Sequence, residues 1–321
     1  MLGGFLLAIR TNIVRRTASS EALKLARSSL ATRGQQGVAS MKRMVIDKNI
    51  FERDELRAWL AESKDHIAIV TDYAQLEMLK GNAVINILKS TEIVSAFPKQ
   101  VHVLKPITEI SGLKGKKKGM KKRLTSGGGS RSFRKWCKKR TRAAQGDKKL
   151  QEQILANGRE AAAQFEDMLA DMKGFAANIE DATSKFTDEE LAILRNKQPL
   201  TETIVVKILD GTMNLAWKFF ALHPELEKLP PAHELPHTFI FRMALCAYLH
   251  ALRWRVAGGA ADALPERMRN DVLDVTYAAY ALCFDGLLSN DAMANEIHDN
   301  ARAMLELFTK YAPKRSRVHA A

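Results

Sequence analysis

The spacing of apolar positions along this chain switches between a period of two and a period near three and a half, and the switches mark its elements. M-V-I at 44–46 reads as a short apolar strand ending in Asp47. R-D-E-L-R-A-W-L-A at 53–61 has helical spacing, and H-I-A-I-V at 66–70 reads as a second buried strand. It runs into T-D-Y-A-Q-L-E-M-L-K-G, where Ala74, Leu76, Met78 and Leu79 suit a helix that carries Glu77. V-H-V-L at 101–104 is a third strand. Strands alternating with helices at this spacing predict an α/β fold with a parallel sheet and crossover helices.

After Ile110 the periodicity stops. Residues 111–142 are rich in Gly, Ser and Lys, and the expectation there is a flexible, extended linker. Helical spacing resumes over 147–184, T-D-E-E at 187–190 is a capping box, and further helices are expected over 201–222 and 237–256, the last ending at Gly258-Gly259. Pro224, Pro230, Pro231 and Pro236 keep the stretch between those two helices irregular. Residues 143–257 therefore read as a helical insertion between two α/β parts, 41–110 and 260–312. In the second part, Val275, Ala278, Ala279, Leu282 and Cys283 predict a buried helix over 267–283. G-L-L-S at 286–289 predicts a short strand delivering Asp291, and 292–311 predicts a closing amphipathic helix before a basic tail, 313–321.

Composition adds one sharp feature. Hydrophobic content of 46% and charged content of 27% are ordinary for a folded chain, but the net charge is +14. Residues 114–142 hold 14 Lys and Arg and no acid; removing those 14 from the total of 50 leaves 36, equal to the 36 Asp and Glu. The excess charge is thus local. With Phe133 and Trp136 among the cations, this segment suits a phosphate backbone with bases stacked on its aromatic rings, against the plainer reading of a solvated cationic loop. The residues assigned to that contact are Lys116, Lys117, Lys118, Lys121, Lys122, Arg123, Arg134, Lys135 and Trp136. Cys137, Cys246 and Cys283 are dispersed and form no C-x-x-C, which fits buried thiols in a reducing, cytoplasmic setting. No apolar run reaches the ~20 residues of a membrane span. Residues 1–40, Arg- and Ser-rich with Glu21 the only acid, have the composition of a mitochondrial-type presequence; the reading adopted is a disordered extension before a start near Met41.

Two motifs bear on chemistry. His233-Glu234-Leu235-Pro236-His237 spells a zinc-protease signature, but Pro236 sits inside it and prevents the helix that the motif needs, so a loop is expected. The other is a set of acids: Asp47 after the first strand, Glu77 on the second helix, Asp274 on the late helix, and Asp291 after the late strand. A parallel sheet gathers such positions at the carboxyl ends of its strands. Oxygen ligands of this kind suit Mg²⁺ or Mn²⁺. Asp271, three before Asp274, is a further candidate ligand. Asp72 and Asp285 read as turn or supporting residues.

Taken together, these motifs resemble the PIN domain, a family of metal-dependent nucleases. Asp47-Lys48-Asn49 is similar to its opening D-x-N, I-A-I-V-T-D-Y-A-Q-L-E to its second strand and Glu-bearing helix, Asp274 before Ala278-Ala279 to its D-x-x-x-A-A, and Ser289-Asn290-Asp291 to its S-x-D turn. The resemblance covers 41–110 and 260–312; the segment between has no counterpart in a compact member. It implies a three-layer α/β/α fold with a central parallel sheet and a large helical insertion. It also implies metal binding by Asp47, Glu77, Asp274 and Asp291, with Asn49 and Ser289 orienting them and Asp271 a fifth ligand or a supporting group, and cleavage of RNA by the metal-dependent endonuclease so formed. A protein partner of antitoxin type would dock on the insertion, and homo-oligomerisation stays open. The alternative is a nucleic-acid-binding or regulatory protein that retains the fold without cutting.

Overall fold

The computed structural model describes residues 41–113, 115–171, 175–224, 226, 229–231, 233–261 and 263–311. The expected extension (1–40) and basic tail (313–321) lie outside them. Four strands, β1 (Lys42–Ile46), β2 (His66–Val70), β3 (Val101–Val103) and β4 (Gly286–Leu288), form one sheet in the order β3-β2-β1-β4 with every pairing parallel. Successive side chains on a strand point to opposite faces. Val45 with Ile46, and Ala68 with Ile69, are all fully buried, so both faces of the sheet are covered. The chain is α/β, with the rest of the regular structure among the described residues helical.

Helix α1 (Asp54–Glu62) carries the chain from β1 to β2. Helices α2 (Asp72–Met78), α3 (Ala83–Ser90) and α4 (Glu92–Ala96) lie between β2 and β3. After β3 come α5 (Ile107–Ser111), α6 (Met120–Leu124) and α7 (Gly127–Ala144). The expected flexible linker over 111–142 is therefore mostly helix. Two features outweigh its poor helical composition. The Ser126 side chain accepts the Gly129 amide at 2.9 Å and caps α7. Gly129 has no Cβ, and one placed there would sit 3.0 Å from Val103 Cγ1, so glycine lets the helix start hard against β3.

The long segment to β4 then forms α8 (Lys148–Asp171), α9 (Phe175–Thr183), α10 (Asp188–Arg195), α11 (Glu202–Leu222), α12 (Phe239–Val256) and α13 (Pro265–Ala281); α14 (Ala292–Tyr311) closes the chain. The capping box at Thr187 and Glu190 forms as expected. The region read as an insertion is not a separate block. Leu191, Ile204, Phe220 and Phe241 belong to the same buried cluster as Val45, Ile69 and Val101. Phe239 meets Tyr280 with ring centroids 4.7 Å apart, and Phe241 meets Phe308 at 4.8 Å, so α12 is wedged onto both helices that flank β4. The His233–His237 stretch ends in a 3-10 turn, Leu235–His237, and forms no zinc helix. Among the described residues no helix is long and apolar enough to cross a membrane.

Candidate metal centre at the carboxyl edge of the sheet

From β1 the chain proceeds to β2 on one side, while β4 lies on the other, so the strand order reverses between β1 and β4. Open α/β sheets place their sites at the carboxyl ends of the strands beside such a reversal. Asp47 follows β1 there and Asp291 follows β4.

The turns after those two strands are tied to each other. Asn49 donates from Nδ2 to Asp47 Oδ2 at 2.6 Å, and its Oδ1 accepts the amide of Asn290 at 3.1 Å. Ser289 donates its hydroxyl to the same Asp47 oxygen and accepts the Asp291 amide at 2.9 Å. Asn295 donates from its side-chain amide to the carbonyls of Ser289 (2.9 Å) and Asp291 (2.8 Å). Asp291 Oδ1 accepts the Ala294 amide at 2.7 Å and so caps α14. Each aspartate is thus fixed by short polar side chains close to it in sequence or in the facing turn.

Glu77 and Asp274 come from helices. Thr71 caps α2 by accepting the Ala74 amide at 3.0 Å, which sets the helix that presents Glu77. The buried Tyr277 hydroxyl donates to Glu77 Oε2 at 2.5 Å. Asp274 lies one helical turn earlier on α13, and its carboxylate makes no hydrogen bond or ion pair among the described residues. Burial, then the charges of Asp291, Asp47, Glu77 and Asp271, push its carboxyl up to about 8. Glu77 is raised by burial and by Asp47, against the Tyr277 hydrogen bond and the cations of Lys80 and Lys48. Asp47 is raised by burial and by Asp291, against its hydrogen bonds from Ser289 and the local backbone. Asp47, Glu77 and Asp291 thus all lie near enough to Asp274 for their charges to raise it.

Asp271 is placed differently. Its Oδ2 meets His250 Nε2 at 3.1 Å and accepts the Trp254 indole N–H at 3.1 Å, which anchors α13 to α12. Asp72 accepts the Ile107 amide (2.8 Å) and the Tyr280 hydroxyl (3.0 Å), holding α2 to α13 and to the segment after β3. Asp285 accepts the Arg43 amide at 2.8 Å and pairs with Lys121, near the opposite ends of the strands.

Whether the cluster suits a cation can be judged from its donors. As placed, no three His, Cys, Asp or Glu side chains among the described residues form a ready cage for a metal ion. The donor set is nevertheless all carboxylate: Glu77 and Asp291 each keep one oxygen outside the hydrogen bonds given above, and Asp274 keeps both. The repulsion that raises Asp274 is what a divalent cation would relieve. The chemistry fits hard, oxygen-seeking ions such as Mg²⁺ or Mn²⁺.

The cations assigned to nucleic acid divide into two groups. Lys116, Lys117, Lys118, Lys122 and Lys135 are exposed. Lys121 is engaged with Asp285, and the Arg123 guanidinium donates to the carbonyls of Lys116 and Lys118. Arg134 is half-buried, close enough to His102 to help burial lower its imidazole. Trp136 is no open stacking platform: its indole donates to Thr91 at 3.2 Å and packs with Ala83, Ala143 and Ile154. Sequence reasoning missed Tyr277, although a tyrosine three residues after Asp274 lies on the same helical face and was a legible signal.

No family model, no curated protein and no solved structure matches this chain.

Proposed function

We propose that this protein is a PIN-like, Mg²⁺- or Mn²⁺-dependent nuclease acting on RNA. The observation that carries the reading is the convergence of Asp47, Glu77 and Asp291 on Asp274 at the carboxyl edge of a parallel sheet, where their charges raise the Asp274 carboxyl. Asp47, Glu77, Asp274 and Asp291 would hold the ion. Bound there, it supplies positive charge that polarises a phosphodiester and acidifies a water. The protein's own contribution is placement. Ser289 and Asn49 leave Asp47 one orientation, Tyr277 fixes one oxygen of Glu77, and Asp274 is free to exchange its proton for a cation. The exposed lysines before and along α7 would add non-specific attraction to the backbone.

Asp47→Asn and Asp291→Asn test it. Cleavage of labelled single-stranded RNA in Mn²⁺ should fall by roughly 10²–10³-fold or more in each, with far-UV circular dichroism unchanged. Undiminished cleavage in both variants would sink the site assignment.

A second reading, a protein that binds nucleic acid and does not cut it, is favoured by the lack of a ready cage among the described residues. Wild-type protein that shifts RNA in a gel but yields no metal-dependent product would select it.

A further inference from the structure

Helix α8 packs against both α2 and α13, the helices that carry Glu77 and Asp274. At that crossing the buried ring of Phe165 meets two cations. Lys80 Nζ lies 5.4 Å from the ring centroid and Arg269 Cζ 5.6 Å from it. Lys80 follows Glu77 by three residues, and its charge acts on that carboxyl. Arg269 precedes Asp271 on α13.

The state of Arg269 needs a reason. The side chain is only 7% exposed, its Nε is buried without a hydrogen-bond partner, and its sole hydrogen bond among the described residues is a long one, 3.4 Å, to Asn270 Oδ1. No carboxylate among the described residues pairs with it, or with the Lys80 ammonium. A buried guanidinium is almost always paired, and an aromatic face compensates only part of the lost hydration. Two cations that serve the packing look different: Arg140 donates to the Leu88 carbonyl at 2.7 and 3.1 Å, and Lys207 pairs with Glu190 at 2.6 Å.

We propose that Lys80 and Arg269, gathered on Phe165 beside the carboxylate cluster, form a subsite for one phosphate of a nucleic-acid backbone. The choice of ligand class rests on the nuclease reading above. Two cations next to acids let the site hold a phosphate that the carboxylates alone would repel. Arginine's planar fork suits two phosphate oxygens at once, while lysine adds a point charge from the exposed side. Phe165 holds both cations by its ring without neutralising either.

The test is metal-free binding, so that it does not depend on cleavage. A short fluorescein-labelled oligouridine is titrated in EDTA at several salt concentrations and followed by anisotropy, with wild type, Lys80→Gln, Arg269→Gln and Arg269→Lys. Each Gln variant should bind roughly tenfold more weakly, with a salt slope shallower by about one, and Arg269→Lys should recover part of the loss. Lys80 is exposed, so Lys80→Gln keeps the test valid if Arg269→Gln fails to fold. Inorganic phosphate at matched ionic strength should displace the oligonucleotide only weakly; complete displacement would reassign the subsite to small phosphates and overturn this assignment. Wild-type affinity and slope retained by Lys80→Gln, and by Arg269→Gln where it folds, remove the subsite alone. Failure of the wild type to bind oligouridine removes the nucleic-acid reading with it.

Discussion

At the carboxylate edge, four side chains from distant parts of the sequence meet because each sits one step beyond a strand or on a helix packed across it. In α7, eighteen consecutive residues poor in apolar side chains form a helix against the sheet. The edge is specified by local chemistry: Ser289, Asn49 and Thr71 fix their turns and caps with hydrogen bonds that short motifs announce. The helix is specified by its neighbours. Ser126 caps it, Ser130 accepts the Val103 amide at 3.0 Å, and Trp136, Arg140 and Ala143 turn inward while Arg131, Lys135, Lys138, Lys139 and Arg142 stay exposed. One region is therefore readable residue by residue, and the other only once the surface it lies on is known.

The strongest test of that contrast is acidity at the edge. Asp274 has a folded value raised to about 8 from 3.8, and Asp47 and Glu77 are raised as well. The folded protein thus holds protons that the unfolded chain releases, so metal-free stability should fall as pH rises from about 4 to about 8. The loss is on the order of a few kcal/mol. Denaturant melts in EDTA should show the slope, and Asp274→Asn should flatten it. A wild-type profile already flat over that window contradicts the repelling cluster. Added Mn²⁺ should stabilise the wild type more at pH 8 than at pH 5.

On the helix side, Gly129→Val tests close packing. A Cβ there meets Val103, so about 1–3 kcal/mol of stability should be lost. A flexible linker would tolerate the change at no cost, and an unchanged melt would restore that description. Ser126→Ala is the gentler probe: loss of the cap should cost about 1 kcal/mol, visible as a small drop in melting midpoint.

The same division marks what the sequence reveals. All four strands are legible as short apolar runs such as H-I-A-I-V, and two of the four acids, Asp47 and Asp291, stand just beyond such runs. The helices at 83–90 and 107–111 are not, being short. α7 is hidden because G-G-G-S argues for a loop whenever Val103 is out of view. The shared core of α11 and α12 with the sheet is hidden for a different reason: an apolar helix face is visible in sequence, but its partner is not. Arg269 and Lys80 look like ordinary surface cations until α8 crosses them.

The start of α7 also bears on how the molecule avoids sticking to itself. β3 is an edge strand, and an uncovered edge offers its amides and carbonyls to any extended chain. Here the Val103 amide is taken by Ser130, its carbonyl accepts the Ser126 amide at 2.8 Å, and Leu104 pairs in antiparallel fashion with Thr125. That end of the sheet is closed to strand addition, so a cationic segment that reads as a spacer acts as the sheet's guard against edge-to-edge aggregation.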